Sequence, residues 1–166
     1  MNQPGYNEAH MHRAIELSMI GHTSGKGLPI GCVVTKDGQI IGEGHNEIFL
    51  RNIPTAHAEM VAIEDACKKT NNILLEGCEL YTSLQPCPMC FGAVYWAGIK
   101  KVYYAVSCID AAKAGFDDAF IYDQLAKPPS EQLIPMNYMQ EDSALQVLLD
   151  WKNNNYSDIA GRHISK

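Results

Sequence analysis

Two short segments, His57-Ala58-Glu59 and Pro86-Cys87-Pro88-Met89-Cys90, place the tightest demand on how this chain folds, because the metal ligands they carry have to meet at one point. An imidazole and two thiols suit zinc, and three protein ligands leave a tetrahedral ion one open position. Structural zinc sites are closed by four protein ligands, whereas catalytic ones keep the fourth place for water. A water held there ionises near pH ~7 instead of about 15.7 and becomes a nucleophile at neutral pH. Glu59 is a carboxylate not needed as a ligand, so it is free to carry protons from that water to a leaving group.

Taken alone, C-x-x-C also fits a redox dithiol or half of a zinc finger. A structural site would need a fourth ligand, and Cys67, Cys78, Cys108, His22 and His45 are available. None of them forms a second paired spacing with the first set, so the open, catalytic arrangement is expected. Cys32, Cys67, Cys78 and Cys108 read instead as small apolar core residues, the usual fate of a free cysteine.

The periodicity predicts a helix over 10–24, with Met11, Ala14, Ile15, Leu17, Ser18 and Met19 on one face and Gly21 and Gly25 ending it. A strand over 30–35, an Asp37-Gly38 turn and a strand over 39–44 read as a hairpin. A helix over about 56–69 follows, then a strand at 79–82, and then a helix from Pro88, suited to the first helical position, to about 97. Residues 101–106 read as a fourth strand, 133–136 as a weaker fifth, and 143–154 as a terminal helix. This alternation predicts an α/β layer sandwich.

Both ligand groups then fall at helix N-termini. Cys87 sits at or just before its helix and Cys90 one turn in, on the same side. The exposed N–H groups and positive dipole end favour thiolate. His57 falls in the first turn of the earlier helix. Positions i and i+2 on a regular helix diverge by about 200°, so His57 and Glu59 converge only if they lie at the helix mouth. Pro54-Thr55 just upstream is consistent with that.

The 166 residues suffice for one domain with its own core. The formal net charge is −6, and Lys68-Lys69 and Lys100-Lys101 are the basic doublets. Gripping a phosphate backbone takes a basic surface, so a small neutral substrate is expected rather than a nucleic acid. No apolar run reaches membrane-spanning length. The start, Met1-Asn2-Gln3-Pro4-Gly5, lacks a signal pattern. Six cysteines, two at metal spacing, fit a reducing cytoplasm.

The ordered pair H-x-E and P-C-x-x-C resembles the cytidine deaminase superfamily of zinc-dependent nucleobase deaminases. Within it, four stretches are similar to bacterial guanine deaminases. They are residues 54–59, residues 81–90, Gly92-Ala93-Val94-Tyr95-Trp96-Ala97, and the segment from Asp110 to Tyr122 with Gly115-Phe116-Asp117-Asp118-Ala119-Phe120-Ile121-Tyr122. The last discriminates best, since the related transfer-RNA adenosine deaminases lack it. The resemblance covers roughly residues 10–152.

That resemblance implies a three-layer α/β/α sandwich with a mixed five-stranded sheet. It implies Zn2+ held by His57, Cys87 and Cys90, and Glu59 as proton carrier in the conversion of guanine to xanthine and ammonia. It assigns substrate contacts to Asn46, the backbone at Ala58, Asp118 and Trp96. Read without it, Asn46 is a turn residue, Asp117 and Asp118 a solvated helix start, and Trp96 a core aromatic on an amphipathic helix. The resemblance also implies a homodimer in which the C-terminal segment, about 135–166 of the single domain 1–166, swaps between subunits. The chain departs from the family in two places. Ile30 stands where an aromatic stacking residue is usual, a difference worth about 1–3 kcal/mol by analogy with other base stacks. The tail after Lys152 does not follow the pattern, and leaves Tyr156 or His163 to close the pocket. Alternative expectations are therefore guanosine, another nucleoside such as cytidine, or another aminated heterocycle as substrate, a transfer-RNA adenosine deaminase, and a non-catalytic zinc-stabilised interaction protein.

Overall fold

Asp37 and Gly38 both adopt positive φ, 49° and 77°, the reversal whose twist matches flanking antiparallel strands. In this computed structural model, which describes residues 5–153, they join β1 (Gly31–Lys36) to β2 (Gln39–His45). On its other side β1 pairs antiparallel with β3 (Cys78–Leu84), and β3 pairs parallel with β4 (Lys101–Val106). The order is β2-β1-β3-β4. The parallel step needs a crossover, and α4 (Pro88–Trp96) lies within it.

Successive side chains of β1 point to opposite faces, and both faces are covered. Val33 packs with Met11 and Leu17 of α1 (Glu8–Ser24) and with Tyr81. Cys32 and Val34 pack with Ala58, Ala62 and Ala66 of α3 (Ala58–Thr70) and Val94 of α4. The first five residues of β1 are buried in consequence, as expected of a central strand with helices on both sides.

Helix α1 is capped by Asn7, whose side chain accepts from the Ala9 N–H at 3.0 Å, and ends at Gly25 with φ 65°. Gly21, expected to help end this helix, lies inside it. A Cβ there would sit 2.7 Å from the Leu28 carbonyl oxygen, so this glycine serves close approach rather than termination. Beside α3, a Cβ on Gly42 would lie 2.4 Å from the Ala62 carbonyl oxygen, and one on Gly44 2.4 Å from that of Ala58. Strand β2 therefore seats against α3 by main chain.

Two helices of four and six residues, α2 (Ile48–Arg51) and α5 (Cys108–Lys113), are too short to show an apolar period and were not expected. Two compact units divide after Ala119. The second, described by itself, holds most of α6 (Ala119–Leu125), a 3-10 turn at Pro129–Glu131 and α7 (Asp142–Asn153).

The sheet has four strands among the described residues, not five. The stretch at 133–136 pairs with no strand among the described residues, and two of its three N–H donors are used elsewhere. Leu133 N donates to Gln124 Oε1 at 2.6 Å and Met136 N to the Pro129 carbonyl at 3.1 Å, while Pro135 has no N–H. Leu133 and Ile134 are 78% and 81% exposed. Tyr156 and His163, expected as pocket-closing residues, lie outside the described residues, as does most of the divergent tail. No helix among the described residues is long and apolar enough to cross a membrane.

Candidate active site

His57 is not in the first turn of α3 but at its N-cap, with extended backbone (φ −72°, ψ 157°). The divergence expected of i and i+2 on a helix therefore does not arise, because only Glu59 of the two has helical geometry. Cys87 is likewise the N-cap of α4 (φ −66°, ψ 168°), with Pro88 at the first helical position. Cys90 follows one turn in and is fully buried.

These helix starts bring His57 Nδ1 to 3.6 Å from both Cys87 Sγ and Cys90 Sγ. All three ligand atoms lie within 4.8 Å of one another. A tetrahedral ion with Zn–S of about 2.3 Å and Zn–N of about 2.0–2.1 Å needs its N and S ligands about 3.5 Å apart, so the spacing fits zinc. The donor chemistry fits as well. A hydrogen bond from Cys90, aided by His57, holds Cys87 down at about 4 against the opposing effect of burial. Cys90 is the thiol that keeps its proton, pushed up by Cys87 and by burial. His57 is pushed up mainly by its contact with Cys87. A ready thiolate beside a second sulfur and an imidazole is the charge pattern a zinc ion neutralises. Among the described residues no fourth His, Cys, Asp or Glu joins the cluster, and Cys67, Cys78, Cys108, His22 and His45 stay out of it.

Glu59 is 3% exposed. Its Oε2 accepts from Cys90 Sγ at 3.4 Å and its Oε1 from the Thr82 hydroxyl at 3.1 Å. Burial raises its proton affinity above the usual carboxylate range. Asp118 is half-buried and is raised by burial and then by the negative charge of Cys87, which places it within electrostatic reach of the cluster. Its neighbour Asp117 accepts from the Ala119 N–H at 2.9 Å where α6 begins. Asp117 therefore takes the helix-start role considered for both.

Asn46 is fully buried. Its Oδ1 accepts from Leu28 N at 3.0 Å and Ile48 N at 3.3 Å, while its Nδ2 is buried with no partner among the described residues. An unsatisfied buried donor is costly and marks a place where a ligand acceptor fits. Ala58, fully buried, is the first residue of α3, so its N–H is among the four that have no intrahelical acceptor. Trp96 ends α4, the opposite end from Cys87, and is 63% exposed. The structure does not place it in the core. Ile30 is buried and lines a cavity of about 340 Å³ with Pro29, Leu84, Val106, Ala111 and Phe116, but with none of the three ligands.

The loop before β1 holds Asn46 in place. A Cβ on Gly27 would lie 1.7 Å from the Asn46 carbonyl oxygen and 2.8 Å from its Oδ1. Gly27→Ala is expected to force the two backbones apart and to destabilise the protein by about 1–3 kcal/mol, in line with other overpacking changes. For a chain of this size that lowers the thermal midpoint by several degrees, at roughly 2–4 °C per kcal/mol. An unchanged midpoint in a melting experiment would show that the contact relaxes without cost.

Thr82 is the residue that sequence reasoning missed. It sits in a strand-forming run, where a threonine reads as an ordinary β-former. The available signal was a hydroxyl at a position whose neighbours two residues away along the strand, Leu80 and Leu84, are apolar.

The chain matches the family described as the cytidine and deoxycytidylate deaminase zinc-binding region over residues 5–106. It is 47% identical over 147 residues to guanine deaminase of Bacillus subtilis (strain 168), covering 89% of this chain and 94% of that one. The X-ray structure of guanine deaminase from Bacillus subtilis matches with a TM-score of 0.85 at the same coverage. The tRNA-specific adenosine deaminase of Aquifex aeolicus (strain VF5) is less similar, 36% identical over 124 residues, or 75% of this chain and 80% of that one. A further solved structure, in complex with 2,6-diaminopurine, is 34% identical with a TM-score of 0.63 and covers 67% of this chain and 62% of its own. With the ligand set assembled and relatives of this likeness, the chain belongs to the cytidine and deoxycytidylate deaminase family of zinc-binding aminohydrolases, and guanine deaminase is its homologue.

Proposed function

We propose that the protein is a cytoplasmic, zinc-dependent aminohydrolase that converts guanine and water to xanthine and ammonia in purine catabolism or salvage. One observation carries the reading. His57, Cys87 and Cys90 converge, while Glu59, buried beside Cys90, stays outside the ligand set. The 47% identity to a guanine deaminase supports guanine as the base.

In this reading His57, Cys87 and Cys90 hold the ion. Zinc bound there supplies Lewis-acid polarisation and lowers the pKa of water to about 7. Glu59 takes a proton from the attacking water and gives it to purine N3 as the water oxygen bonds to C2. It then takes the remaining hydroxyl proton and gives it to the amino group, so that the C2 carbonyl forms as the C2–N bond breaks and ammonia leaves. The raised proton affinity of buried Glu59 suits a group that must hold a proton between these steps. Asn46 Nδ2 donates to the acceptor edge of the base, Asp118 accepts from its N–H groups, and the Ala58 N–H offers a further donor. Trp96, exposed at the far end of α4, is given no step. Kinship with guanine deaminase also supports a homodimer that exchanges the segment 135–166 of its one domain.

The net charge of −6 supports a small-molecule substrate over transfer RNA. Ile30, aliphatic and packed in the core, supports a second reading with guanosine as substrate, since the base then loses a stacking partner. The test is ammonia release from zinc-loaded protein given guanine and guanosine side by side. Release from guanine is expected. Release from guanosine alone would mean a remade pocket with the same chemistry, and release from neither would end the aminohydrolase reading for purines.

A further inference from the structure

On the α3-facing side of the sheet, the register sets Thr82 of β3 opposite Cys32 of β1, and Leu80 opposite Val34. Cys32, Val34 and Leu80 all belong to the apolar core beneath α3. Thr82 is the hydroxyl in this column, and it is fully buried. A buried hydroxyl is costly unless hydrogen-bonded. This one donates to Glu59 Oε1 at 3.1 Å. The other carboxylate oxygen faces Cys90 Sγ at 3.4 Å, and a cysteine that ligates a metal does so as thiolate, with no proton left to donate.

We infer that Thr82 is a positioning residue, whose hydroxyl fixes Glu59 by one oxygen so that the other faces the reacting atoms once Cys90 has become a ligand. The inference rests on the reading of Glu59 as proton carrier. A carboxylate in a buried site has to be held to within a fraction of an ångström to transfer protons well. Strand β3 is a stiff support, paired on both sides by β1 and β4. Thr82 touches no reacting atom in this arrangement and acts through Glu59.

The test uses the zinc-loaded full chain with guanine. Thr82→Val keeps the shape and removes the donor. It is expected to lower kcat about 10- to 100-fold, the range for losing a hydrogen bond to a charged group. KM and zinc stoichiometry should change little. Thr82→Ser, which restores a hydroxyl, should recover most of the turnover. In a Glu59→Gln background, Thr82→Val should cost nothing further, because the two residues act as one unit. If Thr82→Val does not fold, Thr82→Ala is read in its place.

Full kcat in the donor-less variant overturns the inference. Loss of zinc, or a loss that adds to that of Glu59→Gln, also overturns it, since Thr82 would then serve metal assembly or general packing. Full activity of Glu59→Gln alone would instead remove the reading of Glu59 on which the inference stands.

Discussion

Replacing Glu59 by Gln is expected to lower turnover of guanine by about 10²- to 10⁴-fold, the usual cost of losing a general acid–base, with zinc still bound. Glutamine matches the shape of glutamate and keeps an oxygen for the Thr82 hydroxyl, but it cannot accept and return a proton. Metal content should not change, because Glu59 lies beside the ligand cluster and outside it. Nor should the fold suffer, since the change removes a carboxyl whose burial is unfavourable to its charged form. Steady-state kinetics paired with zinc analysis settles the matter. Ordinary turnover in this variant would leave Glu59 a structural residue and the protein a zinc-stabilised binding module. Loss of zinc would make Glu59 a ligand.

Stripping the metal is expected to abolish ammonia release and to lower the thermal midpoint by roughly ten degrees. The ligands come from the mouths of α3 and α4, so an ion that binds only the folded chain ties two helices together. At a free concentration about 1,000 times Kd, such binding stabilises by about 4 kcal/mol, and at roughly 2–4 °C per kcal/mol this gives the stated shift. Zinc should restore both properties. Cys90→Ala should resemble the stripped protein, whereas Cys67→Ala should retain metal and activity, as Cys67 lies outside the cluster. Calorimetry with and without chelator measures the shift, and an unshifted midpoint would mean that the helix starts are held together without the ion.

The ligand set could be read from residues alone because zinc demands specific donors at specific spacings, and His57, Cys87 and Cys90 meet at the mouths of two helices as that demand requires. What the spacing left unresolved was the turn between His57 and Glu59. The answer lay in a backbone angle, since an N-cap is extended where a first-turn residue is helical. The hairpin at Asp37-Gly38 was legible because few residues tolerate positive φ. The fifth strand was misread for the opposite reason. Residues 133–136 carry a suitable pattern, but a strand exists only with a partner, and Gln124 and Pro129 take the N–H groups of Leu133 and Met136. Thr82 and Asn46 were hard to weigh because each does its work through what lies beside it in space. Threonine in a strand and asparagine just past the end of one are ordinary until one is found against a carboxylate and the other with a buried, unsatisfied Nδ2.

The seating of β2 on α3 bears on how such a sequence can change over generations. Gly42 and Gly44 meet Ala58, Ala62 and Ala66 with no space for a methyl group between them. In most cores a larger residue on one side is tolerated if a neighbour becomes smaller. Here the contacting atoms are mostly main-chain carbonyls and amides that no substitution removes, with only the Cβ atoms of Ala66 and Val61 beside them. Compensation is therefore closed to Gly42 and Gly44, and lineages would inherit this seating as a block. The exposed Gln39 and Ile40, on the same strand, would drift freely. Because Ala58 and Ala62 belong to the helix capped by His57, the block also holds the helix that carries Glu59 in register with the sheet, and variation elsewhere could change other contacts while leaving the position of His57 inherited intact.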